Sequence, residues 1–345
     1  MSIVITTTDD EAAIIEDMTA ALRDAGLLAS GGTPEFAPLT GGVSSAIYRA
    51  DLPNGPICIK RALEKLKVAA DWHAPLERSA SEVAWIRQVA TIDGALVPDI
   101  LFADDKRHLF AMAYLEPDTY PCWKPLLASG VTDAAFAGQV GDALGRVHSG
   151  AASSPALAKQ FPHAGLFEAL RIDPYIVHAA TKHPDLAPHL LAIAEGLRTS
   201  RITLVHGDIS PKNILCGLRG PVFLDAECAC FGDPAFDLAF CLNHLLLKGA
   251  WHPEYGAGYA RCAEALLARY RARVDWEDWA GFEARGARLL AALLLARVDG
   301  KSPVEYLTDD RRKSFVREFA RSRLAEEPLG FDGLRQTWWE GISLL

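Results

Sequence analysis

Apolar residues recur along this chain with two periods, one helical and one strand-like. Ile14, Ile15, Met18 and Leu22 step by three or four and stop near Gly26, which predicts an amphipathic helix, with Thr8 and Glu11 in a capping-box pattern at its start. Residues 39–46 and 57–61 predict a hairpin turning at Asn54-Gly55. Ile86 and Val89 mark a second helix, and residues 109–115 a last strand running into a hinge. Phe136, Val140, Leu144 and Val147 return to helix spacing and stop at Gly150. Further helices are predicted over 237–248, 255–273, 276–298 and 309–324, with Trp276 and Trp279 on one face of the third. The pattern is that of an α+β chain with a small antiparallel sheet in an N-terminal lobe, 1–115, and a mainly helical C-terminal lobe, 116–345.

Between these helices lies the segment richest in chemistry. Residues 206–215 read His-Gly-Asp-Ile-Ser-Pro-Lys-Asn-Ile-Leu, and residues 222–227 read Val-Phe-Leu-Asp-Ala-Glu. Asp208 and Asn213 lie five apart, with a second acid at Asp225, the spacing of a kinase catalytic loop and its metal-binding acid. Phosphoryl transfer needs that division of labour, because one carboxylate cannot both accept the acceptor's hydroxyl proton and hold the cation that neutralises the phosphates. Asp208 is the expected base, Asn213 and Asp225 the expected Mg²⁺ ligands, and Glu227 a group that reaches a second metal or a water. Apolar residues 202–205, 214–215 and 222–224 flank the acids, a strand, loop, strand layout with both acids at one end.

Upstream, Lys60 ends the run Ile57-Cys-Ile59, where a kinase places the lysine that holds the α- and β-phosphates. Alternation puts Lys60 and Arg61 on opposite faces, so only one of them enters the site. Glu82 is the expected partner of Lys60, since it shares the apolar face of its helix with Ile86 and Val89 and needs a cation there. Arg78, four residues back, is the local alternative partner, and Glu77 a rival carboxylate. Gly41 and Gly42 allow the backbone to approach phosphates, and Ser44 and Ser45 offer hydroxyls. Backbone groups of Met112, Ala113, Tyr114 and Leu115 are expected to receive the nucleotide base.

From about residue 38 to about residue 307 the chain resembles the aminoglycoside phosphotransferase and choline kinase superfamily of small-molecule kinases. Gly207, where protein kinases usually carry arginine, and the run Phe231-Gly-Asp-Pro-Ala-Phe-Asp-Leu-Ala carry the resemblance with the catalytic loop. It implies a protein-kinase-like two-lobed fold, with ATP, or GTP in its place, bound with Mg²⁺ between the lobes. It also implies that Asp237 opens a helix and braces the catalytic loop. Only eleven residues separate Asp225 from Asp237, and the Ala-Pro-Glu sequence that closes a protein kinase's activation segment is absent, so a small-molecule hydroxyl is favoured as acceptor. Asp225-Ala-Glu with the following Cys-Ala-Cys-Phe-Gly, and Leu170-Arg-Ile-Asp-Pro-Tyr, resemble methylthioribose kinase, whose loop lacks the asparagine found here at 213. By position in relatives, Arg171, Asp173, His178, Trp251, Arg297 and Asp299 are candidates for the acceptor pocket, with an interhelical ion pair the alternative for each. An aminoglycoside-type phosphotransferase and a non-catalytic nucleotide-binding scaffold are the competing readings. Acids of the large lobe are interleaved with arginines, as in Glu283-Ala-Arg-Gly-Ala-Arg, which disfavours a polycationic drug.

Composition narrows the rest. The chain has 345 residues, half of them apolar, enough for two packed lobes. A net charge of −9 argues against a general nucleic-acid binder. The longest apolar run, residues 289–296, is far short of the ~20 residues a membrane span needs, and residues 1–10 lead straight into the first helix without a leader pattern. Seven scattered cysteines with no metal-site spacing fit a reducing cytoplasm.

Overall fold

The computed structural model describes residues 8–39, 44–65, 74–162, 165–327 and 329–345, and the chain divides into two units, Met1–Tyr120 and Pro121–Leu345. The first unit holds α1 (Thr8–Asp24), β1 (Glu35–Pro38), β2 (Ser45–Leu52), β3 (Gly55–Ala62), α2 (Arg78–Asp93), β4 (Ile100–Asp104) and β5 (Leu109–Ala113). Its five strands form one antiparallel sheet in the order β1-β2-β3-β5-β4. The helical stripe of α1, with Ile14, Met18 and Leu22 buried, packs on the face carrying Ala46, Tyr48, Ile57, Ile59 and Leu109. Arg61 shares that face and reaches Asp17 of α1 at 2.8 Å. Strand alternation therefore turns Lys60 to the other face, where α2 lies. Because β3 runs between β2 and β5, Lys60 sits in the interior of the sheet and not on an edge.

The second unit is mainly helical. It begins with α3 (Trp123–Ala128), α4 (Ala134–Ala151) and α5 (Pro155–Gln160), continues through a π-helical segment Glu168–Val177, and adds α6 (His178–Lys182) and α7 (Ala187–Thr199). Pro174 inside the π-helical segment has no N–H to donate, and the His178 N–H reaches back five residues to the Asp173 carbonyl. Four short strands follow, β6 (Thr203–Val205), β7 (Ile214–Gly217), β8 (Gly220–Phe223) and β9 (Cys230–Gly232), with β6 paired to β9 and β7 to β8. The remainder is α8 (Ala235–Trp251), α9 (Gly256–Arg271), α10 (Trp279–Asp299), α11 (Asp310–Ala325) and α12 (Gly330–Ile342). The core of this unit is α8 with the run 289–296 of α10, all of it buried.

Two details depart from the sequence pattern. Helix α10 begins at Trp279 and not at Trp276, because Asp278 caps it by accepting the Gly281 N–H at 3.1 Å. Trp276 precedes that helix and packs edge-on against His148 and Tyr270, so the two tryptophans do not share a helical face. Helix α12, unforeseen in the periodicity, buries Phe331, Leu334, Trp338 and Ile342. No helix among the described residues is long and apolar enough to cross a membrane.

Candidate active site

Both acidic segments of the second unit are loops at the same end of the short ladders. The catalytic loop, residues 206–213, leaves β6 at Val205 and enters β7 at Ile214, and the turn 224–229 leaves β8 after Phe223 and enters β9 at Cys230. Since Val205 pairs with Cys230 and Ile214 with Phe223, sheet registry brings the loops together. Leu224 ties them further, its N–H donating to the Asn213 carbonyl at 2.9 Å and its carbonyl accepting from His206 Nε2 at 3.1 Å. Gly207 has φ +80°, and a Cβ there would stand 2.8 Å from both Cβ and the carbonyl oxygen of Cys228. That close approach explains glycine at this position on physical grounds.

Asp237, in the first turn of α8 and fully buried, braces the loop. Its carboxylate accepts the His206 N–H at 2.7 Å and the Gly207 N–H at 2.8 Å, with His148 Nε2 at 3.3 Å. His148 is held in turn by Tyr270, whose hydroxyl lies 2.8 Å from Nδ1. The His206 ring accepts the Asp208 N–H at Nδ1, which fixes the proton on Nε2 and keeps the ring neutral. Burial lowers the His206 pKa below the ordinary histidine value, in agreement with that tautomer.

Asp208 is 5% exposed and surrounded by donors. One carboxylate oxygen, Oδ2, lies 2.8 Å from Asn213 Nδ2, 3.0 Å from the Arg171 guanidinium and 3.1 Å from Lys212 Nζ. Lys212 also reaches Asp225 at 3.8 Å. Desolvation opposes the Lys212 charge, but Asp208 and then Asp225 outweigh it and raise the pKa above the ordinary lysine value. Asp225 has φ +70°, a left-handed backbone that is unusual for a residue other than glycine and is concentrated at functional sites. The segment 225–227 is therefore not the extended strand end the sequence suggests, although Glu227 is buried beside it. Asp225 and Asn213 supply hard oxygen donors, and the lysine ammonium near both carboxylates shows that the local charge calls for a cation. The donor set fits a divalent metal of the Mg²⁺ or Ca²⁺ kind.

In the first unit, Lys60 Nζ lies 2.7 Å from Glu82 Oε2, with both side chains buried. Val83, Ile86 and Val89 bury the same helix, so Glu82 is carried inward by the apolar face, as its spacing predicts. Arg78, the local alternative partner, directs its guanidinium at the carbonyls of Ala74, Pro75, Ser44 and Leu63. Glu77 is exposed at the start of α2. Ser45 is buried in β2 opposite Ala62, while Gly41 and Gly42 lie outside the described residues. Met112 and Ala113 belong to the β5 ladder, and Tyr114 and Leu115 follow its end.

A model of the phosphotransferase enzyme family matches residues 35–282. The chain belongs to that family. Methylthioribose kinase of Escherichia coli O45:K1 (strain S88 / ExPEC) is 23% identical over 283 residues, covering 72% of this chain, and the match spans 64% of that enzyme's own length. Among solved structures, a choline/ethanolamine kinase family protein from Mesorhizobium loti aligns with a TM-score of 0.56 at 18% identity, over 94% of this chain and 99% of the other. Amicoumacin kinase hAmiN, in complex with AMP-PNP, Ca²⁺ and Ami, aligns with a TM-score of 0.55 at 13% identity, over 95% and 99%. The protein-kinase-like fold of the phosphotransferase family is thus this chain's fold.

The six acceptor candidates separate in the structure. Arg171, on the π-helical segment, joins the catalytic loop: its guanidinium donates to the Gly207 carbonyl as well as pairing with Asp208. Asp299 is engaged by Arg317 through two bonds of 2.7 Å and by His183 at 2.9 Å, an interhelical ion pair. Asp173 is exposed and His178 half-buried on the π-helical segment and α6. Trp251 packs on Tyr306, with ring centroids 4.7 Å apart, and Arg297 donates to the Tyr175 hydroxyl at 3.2 Å. Sequence reading passed over Lys212 and Lys248, although Lys212 lies within the catalytic loop itself, four residues after Asp208.

Proposed function

We propose that this member of the phosphotransferase family transfers the γ-phosphoryl group of ATP, with Mg²⁺, to a hydroxyl of a small molecule of the sugar, polyol or amino-alcohol kind. The observation that carries the reading is Asp208, a nearly buried carboxylate with one oxygen held by Asn213, Arg171 and Lys212. Those three donors fix the carboxyl group in place beside the site where the acceptor hydroxyl would lie. The acceptor oxygen bonds to the γ-phosphorus, the bond from that phosphorus to the β-phosphate oxygen breaks, ADP leaves with the electron pair, and the hydroxyl proton passes to Asp208.

Asn213 and Asp225 would hold the metal, with Glu227 near a second one. Bound there, Mg²⁺ supplies neutralisation of phosphate charge. Asn213 Nδ2 is engaged by Asp208, which leaves Oδ1 as the ligand atom of the amide. Lys60 would hold the α- and β-phosphates, and Glu82 orients its ammonium. Backbone groups of residues 112–115 would receive the base, and Ser44 and Ser45 lie at the entry to β2. A reducing cytoplasm suits the seven free cysteines, of which Cys58 and Cys228 are pushed by burial up to about 12 and so remain inert thiols.

The test is ADP release and acceptor mass gain with Mg-ATP over a panel of sugars, polyols, amino alcohols and aminoglycosides, with Asp208→Asn as control. Turnover is expected to fall roughly 10²–10⁴-fold in the variant while nucleotide binding is retained. A variant that keeps wild-type turnover would overturn the assignment of the base. A rise in aminoglycoside resistance on expression would favour the drug-kinase reading.

A further inference from the structure

Helix α8 carries a stripe that starts at the Asp237 brace. Phe240, His244, Lys248 and Trp251 follow at steps of three or four, on one helical face. The stripe is tied to the catalytic loop through Arg171, which pairs with Asp208 while its guanidinium carbon lies 5.8 Å from the Phe240 ring centre and 5.9 Å from that of Tyr175. Arg297 joins it from α10, bonded to the Tyr175 hydroxyl and stacked over the same ring at 5.5 Å.

Farther along, the pairing is incomplete: Arg297 also donates to the carbonyl and hydroxyl of Ser302, while other donors beside it find no acceptor. Lys248 is 1% exposed, and its ammonium has no hydrogen-bond acceptor. It lies 5.4 Å from the Trp251 ring centre and 4.9 Å from that of Tyr306, whose own hydroxyl is buried without a partner. Arg297 Nε is likewise buried and unpaired. Among the described residues, no carboxylate ion-pairs with Lys248 or Arg297. His244, one turn before Lys248 on the stripe, has its pKa held well below the ordinary value, first by burial and then by Arg297, Lys248, Lys212 and Lys124. The carboxylate that acts on Lys248, Glu305, is itself paired with Lys124 at 2.6 Å.

The faces of neighbouring aromatic rings commonly receive a ligand cation. Here Lys248 already occupies that position over Trp251 and Tyr306, so an ammonium-bearing acceptor would meet a like charge. A buried ammonium with no acceptor, such as that of Lys248, costs folding energy, and an incoming anion offsets that cost.

We propose that the acceptor is an anion, a small hydroxylated molecule bearing a carboxylate or a phosphate ester, whose acid group is received by Lys248 and Arg297. The inference rests on the small-molecule kinase reading and narrows it, setting amino alcohols aside. Phosphoryl transfer to the hydroxyl proceeds as written above, and the acid group takes no part in bond making.

Binding and turnover test the two layers separately. Thermal shift of the intact protein is compared for glycerate, gluconate and glucose 6-phosphate against glycerol, sorbitol, glucose and choline. The wild type, Lys248→Met, Lys248→Arg and Arg297→Gln are all measured. At least one acid is expected to stabilise the wild type more than its neutral counterpart, with affinity falling about tenfold or more in Lys248→Met and recovering in Lys248→Arg. Lys248→Met without ligand should unfold at the same or a higher temperature, which a merely structural lysine would not allow. Arg297→Gln keeps the test open should Lys248→Met fail to fold. Acids that shift the wild type no more than their neutral counterparts overturn the proposal. An acid that binds through Lys248 but accepts no phosphate supports the anion site and sinks the kinase reading instead.

Discussion

The two ends of the α8 stripe treat their polar groups in opposite ways. At the Asp237 end, two loop N–H groups, a histidine ring and the Leu224 peptide are paired within the protein, and Asn213, Arg171 and Lys212 converge on one oxygen of Asp208. At the Lys248 end, an ammonium, a guanidinium nitrogen and a phenol are buried with nothing to bond. Folding alone fixes the first arrangement, because each group is satisfied when the chain closes. The second leaves donors that folding has not satisfied. Under the proposed function, that division would let the loop around Asp208 stay fixed while the region around Lys248 varies with the substrate.

The comparison breaks most readily at Asp237. Replacing it by alanine removes the acceptor from two buried N–H groups, each worth ~1–3 kcal/mol, so a stability loss of about 2–6 kcal/mol is expected in urea unfolding. A loss below about 1 kcal/mol would mean the loop is held by its flanking strands and not by the brace. Gly207→Ala comes next, since it combines a left-handed backbone with a Cβ 2.8 Å from Cys228, and about 1–3 kcal/mol is expected. Gly26→Ala is its control, with φ +70° and no atom within 4 Å of the added Cβ, so the excess over Gly26→Ala measures the contact alone. Equal losses at the two glycines would show that the loop yields to the methyl group.

What the sequence made legible follows the same division. Asp208, Asn213 and Asp225 could be read because the ladder partners that bring them together are only a few residues away in the chain. Lys60 and Glu82 were legible because strand alternation and helical spacing each decide a face. Arg171 meets Asp208 across 37 positions and from a π-helical turn, a geometry to which no simple period corresponds. Lys248 reads as an ordinary basic residue in the last turn of a helix, and only its placement eleven residues after Asp237, close to three full turns, marks it as lying on the same face. Trp276 misled for the converse reason: its spacing from Trp279 is helical, but the Asp278 cap starts the helix between them.

The smallest expected effect compares the two histidines of the stripe and loop under acid. His206 is neutral because its Nδ1 accepts the Asp208 N–H and its Nε2–H donates to Leu224, so a second proton would set N–H against N–H. His244 resists protonation by burial and by the four cations around it. Both folded-state pKa values lie below the ordinary 6.5, so as pH falls through that value the unfolded chain takes up protons that the folded chain refuses. Stability is therefore complete above about 6.5 and declines below it, until each folded-state pKa is reached, by at most about 1.4 kcal/mol per pH unit for each histidine. Chemical unfolding between pH 7 and 5.5 should show a shallower decline in His244→Gln than in the wild type, the difference being one histidine's share. An acidic ligand seated at Lys248 and Arg297 would raise the His244 pKa and flatten the wild-type decline in the same direction. Identical declines in the wild type and His244→Gln would mean that His244 binds its proton equally in both states, and that the cations of the stripe do not act on it.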